Sequence, residues 1–98
     1  MSSGGELSPL GLPRPVEVRL GSDGEPHSLR RWRRRAGPGS PLAVLRVEEV
    51  WRLAEEWWRE APLRRTYYRV MVDGAGMLTL FHDDAQPPVE GWYEQRDG

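Results

Sequence analysis

The segment Thr66–Val72, followed by Asp73-Gly74-Ala75-Gly76 and then Met77–His82, constrains this chain most. Tyr68, Val70 and Val72 alternate with Tyr67, Arg69 and Met71, a period of two in β-branched and aromatic residues, and this is the strongest strand signal in the sequence. An Asp-Gly-Ala-Gly run is turn chemistry, so Met77-Leu78-Thr79-Leu80-Phe81-His82 is expected to pair back as the second arm of a hairpin. A chain that commits this much of itself to one hairpin must build the rest of its core on a sheet.

The remaining chain fits that demand. Val16, Val18 and Leu20 alternate with Glu17 and Arg19, which predicts a half-buried strand with Pro15 at its first residue or on an edge. Gly21-Ser22-Asp23-Gly24-Glu25-Pro26 is a hairpin loop by composition, and His27–Arg35 returns as a second strand. Ala36-Gly37-Pro38-Gly39-Ser40-Pro41 reads as a loop, Leu42–Val47 as a third strand, Asp83–Pro88 as another loop, and Val89–Gln95 as a last strand. Eleven Gly and nine Pro in 98 residues weigh against long helices. Residues 1–13 are Ser, Gly, Pro and Leu without period and read as a flexible tail, leaving 14–98 as a single small β-rich domain.

One stretch resists this reading. Val47, Val50, Trp51, Ala54, Trp57 and Trp58 recur at helical spacing, with Glu48, Glu49, Arg52, Glu55, Glu56 and Arg59 on the other side, so periodicity alone gives a helix within 47–60 ended by Pro62. The fold class expected is therefore mainly β, a small antiparallel sheet or partly open barrel, with that short helix as the open alternative.

Composition limits the chemistry. Cys is absent, which removes disulfides, thiolate metal sites and cysteine nucleophiles. No uninterrupted apolar run approaches the roughly 18 residues of a membrane span, and the N-terminus lacks both a basic start and an apolar core of a signal peptide, so a cytoplasmic protein with no membrane partner is expected. Formal charge is −1, so no global positive field draws the chain to nucleic acid, and such binding has to come from local clustering. All 14 basic residues are Arg and none is Lys, and Ile and Asn are missing too, as a GC-rich codon bias would produce.

The clustering lies in two places. Leu29 is followed by Arg30, Arg31, Trp32, Arg33, Arg34 and Arg35, with Arg31, Arg33 and Arg35 on one face of a strand and Arg30, Trp32 and Arg34 on the other. Between Val50 and Val72 stand three of the five Trp and two of the three Tyr, interleaved with Arg52, Arg59, Arg64, Arg65 and Arg69. Flat aromatic surface beside guanidinium suits nucleic acid and protein partners alike. The expected contact surface is Arg31, Trp32, Arg33, Arg35, Trp58 and Arg59. The plainer reading is a solvated strand whose Arg pair with Glu48, Glu49, Glu55, Glu56 and Glu60. Of Trp57 and Trp58, one belongs to the core and the other to an interface or under Arg stems. His82-Asp83-Asp84 is the one cluster with acid–base or cation-binding residues, too few for a closed metal site unless Glu90, Glu94 or His27 join them, and a turn with Asx chemistry is the simpler account. No catalytic residue, cofactor or metal is assigned.

The order Arg14-Pro15-Val16-Glu17-Val18, Asp23-Gly24-Glu25-Pro26, Trp32-Arg33, Val47, Trp51-Arg52, Glu56-Trp57-Trp58, Arg65-Thr66-Tyr67-Tyr68-Arg69-Val70, Leu80, Asp83 and Gly91-Trp92-Tyr93 resembles a small uncharacterised bacterial domain family. A similar module stands at the C-terminus of ImuB-like proteins, the inactive relatives of Y-family DNA polymerases in translesion synthesis. The resemblance spans residues 14–95, and Glu-Trp-Trp followed by Tyr-Tyr-Arg-Val is its most specific part. It implies a setting, DNA damage tolerance and protein assembly, and no catalytic residue. It also implies extended structure from Trp51 to Trp58, where ImuB-like tails carry Gly and Pro. The Gly/Pro-rich stretch between Arg35 and Leu42 and the long 83–88 loop depart from the family pattern. The resulting expectation is a non-catalytic interaction module that binds DNA or a DNA-repair or replication protein. Its alternatives are a homodimer built on an exposed Trp face and, from another class, a metal-dependent hydrolase using His82, Asp83 and Asp84.

Overall fold

The computed structural model describes residues 12–33, 35–55 and 63–95, with the side chains of Arg33 and Glu55 left out. The alternating segments form strands, and among the described residues there is no helix. In chain order they are β1 (Arg14–Leu20), β2 (Pro26–Arg33), β3 (Gly37–Pro38), β4 (Leu42–Glu55), β5 (Leu63–Val72), β6 (Gly76–Asp83) and β7 (Trp92–Gln95). Every pairing is antiparallel. The order β1-β7-β6-β5-β4-β2 returns to its start because β2 also pairs β1 from Val16↔Arg31 to Leu20↔Pro26, so six strands close into a barrel. Closure is thin at two seams of two paired positions each, β2–β4 through Ser28↔Ala43 and Leu29↔Leu42 and β1–β7 through Arg14↔Glu94 and Pro15↔Tyr93.

The β5–β6 hairpin forms where its turn residues place it, with Gly74 and Gly76 both at φ 80°, a left-handed backbone that Gly adopts without steric cost. The expected loop at 36–41 contains one departure: Gly37–Pro38 folds back as β3 onto Trp32 and Arg33, and Gly39 N–H donates to the Arg31 carbonyl at 2.7 Å. The last strand is shorter than expected, because Val89–Gly91 belong to the loop before β7.

The inner faces of the strands meet in one core of Val18, Leu29, Val70, Val72, Leu80 and Trp92, with Val16, Leu20, Leu42, Val44, Val47, Tyr68 and Leu78 packed against it. Each fully buried aliphatic residue of this kind contributes about 1.5–3 kcal/mol.

The helix expected from periodicity within 47–60 does not form over 47–55, which is the upper half of β4; residues 56–60 lie outside the described residues. Val44 faces Val72, Val47 faces Val70 and Val50 faces Tyr68. Consecutive members of that face are two residues apart on β5 and three apart on β4, because β4 carries an extra residue between Val44 and Arg46 and another between Val47 and Glu49. The second bulge gives Val47 and Val50 a helix-like spacing while the chain stays extended, and Trp51, the next residue of the helical pattern, lies on the opposite face against Tyr67.

Candidate interaction surface

The outer face carries a second aromatic layer. Trp51, Tyr67, Phe81, Tyr93 and Pro15 are direct cross-strand neighbours in that order, across β4, β5, β6, β7 and β1. Trp51 stacks on Tyr67 at 5.3 Å with planes 7° apart, Tyr67 meets Phe81 at 5.1 Å, and Phe81 stacks on Tyr93 at 5.1 Å. Pairs of this kind add about 0.5–1.5 kcal/mol each beyond area burial. The middle of the row is closed: Phe81 is 2% exposed, with the Arg65 guanidinium 4.3 Å above its ring, and Arg65 Nη1 donates to the Tyr67 hydroxyl at 3.1 Å.

Beyond Pro15 the same face opens. Trp32, 61% exposed, sits above a small cleft with Pro15, Val16, Glu17, Arg30 and Pro38. Pro38 is its direct partner across the β2–β3 hairpin. This cleft runs into a wider groove along the outer face of the β1–β2 hairpin, since Glu17 and Arg30 line both. Arg19, Ser28, Pro41 and Val89 also line it. In register Glu17 faces Arg30 and Arg19 faces Ser28, while Val18 and Leu29 between them point into the core.

Of the residues expected at a contact surface, Trp32 and Arg35 are exposed. Arg31 lies on the opposite face of β2 from Trp32, where Nε and Nη2 donate to the two carboxylate oxygens of Glu94 at 2.9 and 3.0 Å. Glu94 is 4% exposed, so this bidentate pair commits Arg31 to the carboxylate. The Arg33 side chain, Trp58 and Arg59 lie outside the described residues. Among the described residues, the β2 arginine that shares the Trp32 face is Arg30. Strand alternation signals that much; the neighbouring Arg19 follows only once the β1–β2 register is known.

His82, Asp83 and Asp84 form a clamp on the loop between β6 and β7. His82 Nδ1 lies 2.9 Å from Asp84 Oδ1 and Nε2 lies 2.9 Å from the Pro87 carbonyl oxygen. The Thr66 hydroxyl donates to Asp84 Oδ2 at 2.8 Å, the Ala85 N–H donates to Asp83 Oδ1 at 3.0 Å in an Asx turn, and Trp92 Nε1 donates to the Pro88 carbonyl at 2.8 Å. The Thr66 hydroxyl is bonded to the aspartate and not to the imidazole, so the three side chains do not form a nucleophile–base pair. Among the described residues no three His, Cys, Asp or Glu are grouped to hold a metal. Tyr68 belongs to the same end of the barrel. Loss of hydration, then the Asp84 and Glu25 carboxylates, hold its hydroxyl pKa above the usual value, against the pull of Arg52.

No helix among the described residues is long and apolar enough to cross a membrane. No protein-family model, curated protein or solved structure matches the chain.

Proposed function

We propose that this domain is a non-catalytic interaction module, an accessory in DNA repair or translesion synthesis that binds nucleic acid through the Trp32 surface. One observation carries the reading: a tryptophan 61% exposed, held on a paired strand between Pro15 and Pro38 and beside a guanidinium. An indole costs stability by staying in water, and a site that offers its face next to Arg suits a base stacked on it with a phosphate alongside. The resemblance of Glu56-Trp57-Trp58 and Tyr67-Tyr68-Arg69-Val70 to the C-terminal module of ImuB-like proteins supports the repair setting. The hydrogen bonds that hold His82, Asp83 and Asp84 in a turn support leaving them out of the function.

A repair or replication protein is the second reading, favoured by the same exposed Trp beside Arg, the pair most enriched at protein-binding hot spots. Fluorescence anisotropy of labelled single-stranded and duplex DNA, titrated at two salt concentrations, tests the first reading. Binding that weakens as salt rises supports it. Absence of binding at low salt overturns it, and sedimentation of the free domain across a concentration series then separates a homodimer from a docking site for another protein.

A further inference from the structure

The nucleic-acid reading above leaves open which form of nucleic acid is bound and where it runs; this inference rests on that reading. The groove on the outer face of the β1–β2 hairpin presents its charged and aromatic groups in one row. Arg19 faces Ser28 in register, and Arg30 stands two residues further along β2, so Arg19 and Arg30 are diagonal neighbours, about 7–8 Å apart on the sheet. Trp32 follows two residues beyond Arg30 on the same face, about 6.5–7 Å along the strand. Two arginines and a tryptophan therefore leave the sheet at nearly even steps along surface that Glu17 and Arg30 line throughout, with Glu17 the one carboxylate among the lining residues. Arg31, the neighbour that would break the row, is turned inward onto Glu94.

We infer that a single strand of nucleic acid lies along this row, one base stacked on Trp32 and successive phosphates against Arg30 and Arg19. The charge complementarity is local, two cations against one anion in a chain whose formal charge is −1. A duplex offers Trp32 no free base face, whereas a single strand presents both base and phosphate at every step. The row is short, so about four nucleotides fill it, at the lower end of the range for small barrel folds. Stacking and phosphate contacts carry no base identity, so binding is sequence-tolerant.

The test is anisotropy with labelled oligothymidylates of two, four, six and eight nucleotides and a duplex of matched length, using the intact domain. Affinity rises to about four nucleotides and then levels, and the duplex binds more weakly. Trp32→Ala weakens binding by about 5- to 100-fold, the span of one base stacked on an aromatic side chain. Arg19→Ala and Arg30→Gln each reduce the slope of log affinity against log salt by about 0.7, one phosphate each. Glu17→Gln strengthens binding several-fold, a gain that no loss of folding produces. Arg69→Ala, on exposed β5 surface outside the groove, leaves binding unchanged. Single-strand binding that ignores Arg19, Arg30 and Glu17 overturns this path while the nucleic-acid reading stands. Equal or tighter binding of the duplex overturns the single-strand assignment. Binding of neither form overturns both.

Discussion

Trp92 and Trp32 are the same side chain put to opposite uses. Trp92, on the inner face of β7, is 4% exposed, packs against Tyr68 at 5.3 Å and His82 at 5.0 Å, and spends its one N–H on the Pro88 carbonyl. Trp32, on the outer face of β2, is 61% exposed and has no aromatic neighbour among the described residues. The first is held by every contact an indole can make. The second lies over Pro15 and Pro38 with most of its surface in water. In a domain this small, leaving an indole in water gives up apolar burial that the core could use. The largest prediction measures that contrast. Trp92→Ala removes a packed ring and its hydrogen bond and lowers unfolding free energy by about 3–5 kcal/mol, whereas Trp32→Ala stays within about 0.5 kcal/mol of the parent. Urea denaturation followed by circular dichroism reads both. Equal losses would erase the distinction and return Trp32 to the core.

Arg31 sharpens the same comparison from one residue away. Its pairing partner Glu94 is buried while Arg31 itself remains 42% exposed. Arg31→Ala strands the carboxylate in the barrel and costs about 2 kcal/mol, below the 3–5 of a fully buried pair because water reaches the arginine side. The double variant Arg31→Met with Glu94→Leu recovers most of that loss, since two apolar groups of similar size need no partner. A double-mutant cycle in denaturant reads the coupling. Additive losses would show that Glu94 is solvated and Arg31 free.

Much of this architecture is legible in the chain, and what is not has physical causes. Val16/Val18/Leu20 and Tyr68/Val70/Val72 announce their strands because one face of each is buried, and Gly74 and Gly76 announce the turn because their φ demands glycine. β4 disguises itself: two bulges space Val44, Val47 and Val50 by three, and a period of three is what a helix offers too. The outer aromatic row is invisible because Trp51, Tyr67, Phe81 and Tyr93 come from four strands, and only register sets them side by side. Arg31 and Glu94 stand 63 residues apart, so nothing local distinguishes a committed arginine from Arg30 next to it. At the surface, the run of arginines around Trp32 lies on β2 and is split between its two faces.

The loop over Trp92 provides a third test. Gly91 has φ 75°, and a Cβ there would stand 2.6 Å from Gln86 Cγ and 2.7 Å from Gln86 Cβ. Gly91→Ala therefore costs about 1–3 kcal/mol in backbone strain and crowding. Adding Gln86→Gly relieves the crowding and leaves the φ term, so the pair recovers only part. Hydrogen exchange at the Asp83 N–H, bonded to the Gly91 carbonyl at 2.9 Å, reports whether the loop has lifted. Full recovery in the double variant would mean that φ carries no cost there.

The smallest effect belongs to Tyr68, which lines the Trp92 side of the barrel. Burial first, and then the Asp84 and Glu25 carboxylates, make its phenolate unfavourable in the folded protein, with Arg52 opposing them. The folded chain therefore binds the phenolic proton more tightly than the unfolded chain does, where the pKa is about 10. The stability from this difference is fully present below the unfolded value and is lost as pH climbs through the raised folded one. Ultraviolet difference titration should show a tyrosine ionising late, and Tyr68→Phe removes that step. Asp84→Asn takes away one of the carboxylates that hold the value up, so the late step moves to lower pH. It stays above the ordinary range, because burial, the larger cause, is untouched. If Asp84→Asn left the late step where it was, Asp84 would lie too far from the hydroxyl to act on it, and its influence would reach no further than Thr66 and His82.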